Sequence, residues 1–506
     1  MPDINSKDLS DPKEENTADD VLVKIALSRG IFFPAAEIFH DKISGTWDYG
    51  PIGVLIFNNL VNEWRKTLSE MGGVEISGSV ILPRAVLQAS GHESNFFDVA
   101  VVCSKCGTAY RVDKLLEEKE PSRNYEGLSD EDYLSWINFY AIRCNRCSGE
   151  LNKIKKFGSM LGLSVGLQNS DEKEINAYLR PEACQSIFLD FKRVFSLYGK
   201  RLPLIIGQVG KAFRNEISPR NNLLRQREFY QNDIEIFFDD DNSFNLSQDK
   251  EINIFDKKNP NTTKINISEA LSSGVIKNKV TAFALSNVAG FLEGLGFDTD
   301  HVRYRKLYED RAFYSKESFD VEINKGGDWV EAIACNHRGD YDLTSYGKGH
   351  ADTIKINGKV PNVFEISAGT DRLFYLALYL SIKSDKERTW FALNNRISPF
   401  KAAIFPLLSK EELDKIAKDA LNNSAYRDSI YYLRSGSIGK MYRKSDEIGI
   451  PIAFTIDYQT LKDGTVTIRD RDTMAQFRVE LKNLDQIIKD SRNSGFKSLK
   501  GKFELH

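Results

Sequence analysis

The ten residues Phe229–Phe238 (FYQNDIEIFF) constrain this chain more than any other segment. Their aromatic and β-branched content favours a strand. Extended, the run places Phe229, Gln231, Asp233 and Glu235 on one face and Tyr230, Asn232, Ile234, Ile236 and Phe238 on the other. Just upstream, Lys211–Glu216 (KAFRNE) ends with Arg214 and Glu216 sharing a face, and the intervening loop carries Arg220, Arg225 and Arg227. Two strands joined by an arginine-bearing loop, with carboxylates on the same sheet, suit a ligand that carries both phosphate and a cation. The same pattern fits the solvated face of an edge hairpin, and alternation alone does not separate the two.

A second segment, Val363–Arg372 (VFEISAGTDR), adds to the first. As a strand it sets Glu365 and Ser367 opposite Phe364 and Ile366. Ala368-Gly369 then turns into a helix, Asp371–Leu380, with Arg372 in its first turn. The result is a set: one arginine on a strand, one in a loop, one at a helix start.

Composition excludes several classes. The 69 Lys+Arg and 72 Asp+Glu nearly cancel, for a formal net charge of -3, so bulk-charge coating of nucleic acid is out while a local basic surface is not. No apolar run approaches the ~18 residues of a membrane helix. Met1–Asp20 lacks the apolar core of a signal peptide. Six cysteines in 506 residues do not make a disulfide framework, and a cytoplasmic location is expected. Residues 1–18 read as a disordered tail. Two polar stretches, about 103–147 and 239–280, read as insertions. From 397 onward, short apolar strands alternate with helices (Ala402–Pro406, Lys410–Ala420, Ile452–Ile456, Val466–Arg469, Met474–Asn483), suggesting a separate α/β domain.

Phe213-Arg214-Asn215-Glu216 followed by Arg225 and Phe229 resembles the second signature of class II aminoacyl-tRNA synthetases. Gly369-Thr370-Asp371-Arg372 resembles the third, and Gly78–Pro83 the proline-ending first. The blocks Thr46–Pro51, Ala89–His92, Leu179–Glu182, Gly210–Glu216, Asp340–Leu343, Ser367–Gly369 and Gly436–Lys440 through Asp472 are similar to the dimeric glycyl-tRNA synthetases, in order from about Ser28 to Leu484. The resemblance implies an α+β fold: a class II antiparallel sheet flanked by helices over 19–396, then a C-terminal α/β anticodon-binding domain over 397–506. It also implies a homodimer, with tRNA(Gly), glycine and ATP as partners and no DNA or membrane.

The same resemblance implies roles. Arg214 would hold the α-phosphate and the glycine carboxylate, and Arg225 or Arg227 together with Arg372 the outgoing phosphates. Phe229 would stack on adenine and Glu216 would meet its amino edge, with Asn215, Leu224, Ala332 and Gly369 completing the ATP site. Glu331 would help hold Mg²⁺. Glu182, Asp233, Glu365 and Ser367 would read the ammonium, with Phe229, Gln231, Gly369 and Arg111 as further glycine contacts. Larger amino acids would be excluded by volume, without editing.

Asp233 stands where the family has Glu, Ala183-Cys184 where it has Thr-Ala, and Ala334 and Gly339 where it has Gly and Thr. A synthetase for another amino acid would draw on these departures, against the glycyl-type blocks. A non-catalytic relative, such as the accessory subunit of a mitochondrial DNA polymerase, need not keep Arg214, Arg225, Arg372, Glu216 and Glu331, which are all present.

Cys103-x-x-Cys106 and Cys144-x-x-Cys147 have zinc-ribbon spacing within each pair, so a structural Zn²⁺ is expected; four reduced thiols are the alternative. His92 either shapes the site or makes a structural hydrogen bond. Arg469, Arg471, Lys497, Lys500 and Lys502 could touch RNA phosphates.

Overall fold

A computed structural model describes residues 17–505 except 121–122, 124, 126, 167–174, 218, 220, 247, 308–315, 349–353 and 492–495. Arg220 and most of the expected tail therefore lie outside the described residues. The chain forms two compact units. One comprises 34–48 and 57–377; the other comprises 1–33, 49–56 and 378–506. The sequence alone places the start of the C-terminal domain at 397, after a catalytic domain over 19–396.

The first unit is built on nine strands: β1 (Val74–Ile76), β2 (Leu204–Phe213), β3 (Glu228–Phe238), β4 (Glu251–Asp256), β5 (Asn259–Asn266), β6 (Val302–Leu307), β7 (Glu317–Lys325), β8 (Asp328–Gly339) and β9 (Asn362–Gly369), in the order β5-β4-β6-β7-β8-β9-β3-β2-β1. All neighbours are antiparallel except β1–β2 and β4–β6. The edge-hairpin reading of Phe229–Phe238 fails, because β3 is interior and pairs with both β2 and β9. A strand buried on both faces can carry carboxylates only where a site or a partner takes them. The polar stretch 239–280 is not a detached insertion: β4 and β5 form a hairpin that extends the sheet.

Helices cover the sheet because their apolar stripes demand it. Helix α1 (Ala18–Arg29) belongs to the second unit, and α2 (Pro51–Glu70) buries Leu60, Trp64 and Leu68. In the first unit α3 (Gln185–Leu197) lays Ile187, Phe188, Phe191 and Phe195 against Leu204, Ile206, Phe237 and Val363, with Phe191 stacked on Phe237 at 4.3 Å. Helix α4 (Lys279–Leu295) meets Trp64 through Phe291, ring centroids 5.0 Å apart. Helix α5 (Thr370–Ser381) follows β9 directly.

In the second unit, five strands β10 (Ala402–Pro406), β11 (Ile430–Tyr432), β12 (Ile452–Ile456), β13 (Thr465–Asp470) and β14 (Gln476–Glu480) take the order β11-β10-β12-β13-β14, parallel in the first three. Met474–Asn483, last of the segments picked out from sequence, holds β14. Helices α6 (Glu411–Asn423) and α7 (Ile438–Glu447) pack on this sheet. No helix among the described residues is long and apolar enough to cross a membrane.

Candidate active site

Strand register assembles the site. Across β3, β9 and β8, Asp233 faces Ser367, which faces Ala334, and Glu235 faces Glu365, which faces Asn336. Paired residues share a sheet face, so the carboxylates singled out by alternation on two distant segments belong to one surface. Over it lies a cavity of about 250 Å³. Its wall includes Glu182, Arg214, Glu216, Leu224, Arg225, Phe229, Gln231, Glu331, Ala332, Glu365, Ser367, Gly369 and Arg372. Four of the expected residues lie outside the wall: Arg111, Asn215, Arg227 and Asp233.

At one end the cavity is cationic. Arg214 follows β2 and extends the hairpin by donating its backbone N–H to Arg227 O at 2.9 Å. Its guanidinium lies 5.4 Å from the ring centroids of both Phe229 and Phe96, and Nη2 is 3.4 Å from Glu182 Oε1. Arg225 donates Nε to Glu216 Oε2 at 2.6 Å. Arg372, in the first turn of α5, donates to the carbonyls of Glu331 (2.7 Å) and Leu224 (3.3 Å), which hold it across the cavity. Glu331 reaches the wall through a bulge: Val321 pairs with Ile333 but Glu322 with Glu331, so the extra residue turns Glu331 toward the side of Ala332 and Ala334.

The other end is acidic. Ser367 Oγ accepts from Gln231 Nε2 at 2.6 Å, and Gln231 Oε1 accepts from the Ala183 amide at 3.1 Å. The Glu182 side chain is 25% exposed and opens on the cavity. Burial pushes its carboxyl up, but His92 (Nε2 at 3.3 Å), Arg214 and Arg338 together hold it well below the usual carboxylate range. Asp233, paired across the strands with Ser367, is fully buried, and burial and the neighbouring Glu365 push its carboxyl well up.

The residues outside the wall have other partners. Arg227 braces the loop, donating to Ser44 O (2.6 Å), Ser44 Oγ (2.8 Å) and Glu216 O (2.8 Å). Asn215 accepts no cavity role here; its backbone and side-chain N–H groups donate to Ser159 O and Gly158 O. Arg111 pairs with Asp98 (3.2 Å) and Asp113 (2.9 Å).

Sequence reasoning passed over Arg338 and Asn336. Arg338 bridges Asp342 and Glu365 (3.1 Å), and Asn336 Nδ2 donates to Glu365 Oε2 at 2.9 Å. Alternation would have found them, since Ala332, Ala334, Asn336 and Arg338 are every second residue of β8. Arg180 is also structural to the site: it lies buried under Gly210, where a Cβ would come 2.0 Å from its Nη2.

The four ribbon cysteines converge. Phe97–Cys103 pairs with Ala109–Arg111 and Leu151–Gly158, and matched turns donate Gly107 N–H to Cys103 O and Ser148 N–H to Cys144 O. All four Sγ atoms lie within 4.8 Å of one another, with Cys103–Cys147 at 3.5 Å and Cys106–Cys144 at 3.6 Å. Those separations are too long for disulfides and close to the ~3.8 Å edge of a tetrahedron with Zn–S of about 2.3 Å, so the donor set fits zinc. Tyr110 Oη contacts Cys144 Sγ at 3.2 Å, in the manner of a second-sphere donor.

Arg469 and Arg471 correct the sequence reading. They are 5% and 4% exposed, bonded to Asp446 and to the carbonyls of Leu393 and Gly449, and present nothing to RNA. Lys500 and Lys502 remain about half exposed.

Two family models match the chain: the tRNA synthetase class II core domain (G, H, P, S and T) over residues 167–258, and the anticodon binding domain over 401–491. Glycine–tRNA ligases of Methanocaldococcus jannaschii, Aeropyrum pernix and Thermococcus gammatolerans are 30%, 32% and 32% identical to it. These matches cover 93%, 90% and 93% of this chain and 98%, 94% and 98% of theirs. The crystal structure of a prolyl-tRNA synthetase from Cryptosporidium parvum matches with TM-score 0.58 at 13% identity, over 96% of this chain and 78% of that one, a likeness of fold.

Proposed function

The chain belongs to the glycine–tRNA ligase family, and on that premise we propose how its cavity divides the work. The reaction is that of a class II aminoacyl-tRNA synthetase. The glycine carboxylate attacks the α-phosphorus of ATP, the bond to pyrophosphate breaks, and the tRNA 3′-hydroxyl then takes the glycyl group from AMP. The first step brings two anions together, so positioning and charge neutralisation dominate.

Arg214 serves that step. Its planar fork, held between Glu182 and the Phe229 ring, can contact a carboxylate and a phosphoryl oxygen together. Phe229 offers the adenine a stacking face and Glu216 an acceptor for its amino group. Arg225 and Arg372 take the departing phosphates. Glu331, a carboxylate in the same wall, would hold a magnesium ion carried by those phosphates; the ion supplies further charge neutralisation. Glu182, Glu365 and Ser367 read the glycine ammonium, with Asp233 behind them.

The observation that supports this assignment is that two acids, Glu182 and Glu365, and three arginines, Arg214, Arg225 and Arg372, line one cavity although they come from five separate segments of the chain. The test is pyrophosphate–ATP exchange with glycine beside alanine, serine, threonine, proline and histidine. Exchange with glycine alone is expected. Exchange with another amino acid, or none from folded protein, overturns the assignment.

Three finer readings accompany it. The ribbon cysteines hold a structural zinc ion, supported by their sulfur spacing. The unit containing 401–491 binds the anticodon arm. The enzyme is a cytoplasmic homodimer, supported by cysteines free of disulfides and by the first-signature segment, whose Ile81 is left 45% exposed.

A further inference from the structure

Glu235 has no role in the division of labour above, and its surroundings are anomalous. It is fully buried in the middle of β3, directly opposite Glu365 on β9 and Ile206 on β2. Neither of its carboxyl oxygens has a hydrogen-bond partner. A carboxyl group in that state is destabilising by kilocalories and persists in a core only if something else requires it. What lies beside it is the wall of the acidic pocket: a Glu235 oxygen, a Glu365 oxygen and Cys184 Sγ all fall within 4.8 Å of one another.

We propose that Glu235 is a positioning residue, holding the Glu365 carboxylate from behind at the angle that meets the substrate ammonium. The proposal rests on the assignment of Glu365 to the ammonium.

Glu365 is held on one side only. Asn336 and Arg338 both donate to its Oε2, at 2.9 and 3.1 Å, and both belong to β8. A carboxylate pinned at one oxygen keeps a rotation about its terminal bond, which is broad and soft. Glu235 stands on the opposite strand, β3, with an oxygen within 4.8 Å of a Glu365 oxygen but not bonded to it, so a small side-chain shift as glycine binds would bring a donor to Glu365 and remove that freedom. Burial, and then the charge of Glu365, push the Glu235 carboxyl well above its ordinary value, so it carries the proton such a donor needs. Charge count favours the same arrangement. Burial pushes the Glu365 carboxyl up as well, but Arg338 and the Asn336 hydrogen bond draw it down, so Glu365 is the better held of the two as an anion, and a neutral Glu235 sets no second full charge against it. Arg338 is already shared with Asp342 and cannot neutralise two acids more.

Two variants separate this role from a packing role. Glu235→Met keeps the volume and removes the unpartnered acid; Glu235→Gln keeps a donor. The glycine KM of Glu235→Met should rise ~10–100-fold, the size of effect seen when a supporting group behind a ligand is lost, while ATP KM stays within about twofold. Its melting temperature should hold or rise, since an unsatisfied buried group has gone. Glu235→Gln should restore glycine KM to within a few-fold of the parent.

Glu365→Gln is the control for the underlying assignment. If it raises glycine KM but Glu235→Met does not, Glu235 is packing and the proposal falls while the Glu365 assignment stands. If Glu365→Gln leaves glycine KM unchanged, the assignment falls first. A Glu235→Gln enzyme as impaired as Glu235→Met, or a Glu235→Met enzyme with both KM values raised and a lower melting temperature, also overturns the proposal.

Discussion

Arg225 Nε and Glu216 Oε2 stand 2.6 Å apart in the cavity wall, so the loop between β2 and β3 is tied to the cavity by its own ion pair. The neighbouring Arg227 points away, to Ser44. The two loop arginines should therefore differ in kind. Arg225→Ala should raise ATP KM about 10-fold or more with glycine KM little changed, the loss expected for one charge-assisted phosphate contact. Arg227→Ala should leave ATP KM within about threefold, since its three bonds are to Ser44 and to a backbone carbonyl. Steady-state exchange kinetics at varied ATP decide it, and equal effects would mean that the loop rearranges on binding.

Arg214 should tolerate no substitute. Arg214→Gln should reduce glycine-dependent exchange by roughly 10³-fold or more, the scale of losing a charged group aimed at the transferring phosphoryl. Arg214→Lys keeps the charge but loses the fork that spans Glu182 and a substrate oxygen, and should still fall ~10²-fold. Far-ultraviolet circular dichroism should match the parent in both, because the guanidinium is one-third exposed and holds no core together. A Lys enzyme of normal rate would reduce Arg214 to a point charge.

Much of this site was legible in the sequence because strand alternation is local. Phe229, Gln231, Asp233 and Glu235 share a face by period two, as do Glu365 and Ser367, and the register of β3 with β9 joins the two sets. What alternation does not give is depth. Gln231 lines the cavity and Asp233, two residues further along the same face, is fully buried and does not. Glu331 reaches the wall only through a bulge, a register shift that depends on the partner strand. Burial of Arg469 depends on Asp446 in α7 and that of Arg471 on the carbonyls of Leu393 and Gly449, all more than twenty residues away, so their charge reads as RNA-facing from sequence alone. The hairpin β4–β5 looked like a polar insertion because an edge has one solvated face.

The cysteine cluster should bind one zinc ion per chain, measured by elemental analysis after dialysis against metal-free buffer. Replacing Cys103 with Ser should abolish it, since three thiolates and a hydroxyl bind far less tightly. Removal by chelator should loosen the ribbon locally, because it leaves four sulfur atoms within 4.8 Å of one another, on the matched turns at Cys103–Gly107 and Cys144–Ser148, with no cation between them. Hydrogen exchange should then rise across 97–111 and 143–158 while α3 stays protected. Zinc near zero in metal-supplemented protein of unchanged stability would leave four reduced thiols.

Asp446 should be the residue on which the second unit's integrity turns. It is 2% exposed and accepts from Arg388 at 2.6 Å and from Arg469 at 2.9 and 3.0 Å. Arg388 is bound further, to the carbonyls of Arg471 and Asp472 and over the Trp390 ring at 4.0 Å. One carboxylate thus serves two buried guanidinium groups. Asp446→Ala strands Arg469 and leaves Arg388 only the part-exposed Asp385 at 3.3 Å, and breaking a buried pair by removing one partner costs about 3–5 kcal/mol, against under ~1 kcal/mol for an exposed pair. The control nearer the surface is Asp490→Ala, whose contacts include Gln486 and the half-exposed Lys502. Urea unfolding should show the loss in the transition of the second unit, where all these residues lie. Glycine-dependent exchange should persist, since the cavity lies wholly in the first unit, while transfer to tRNA falls as the second unit melts. If Asp446→Ala and Asp490→Ala shift the midpoint equally, the cluster does not hold the second unit together.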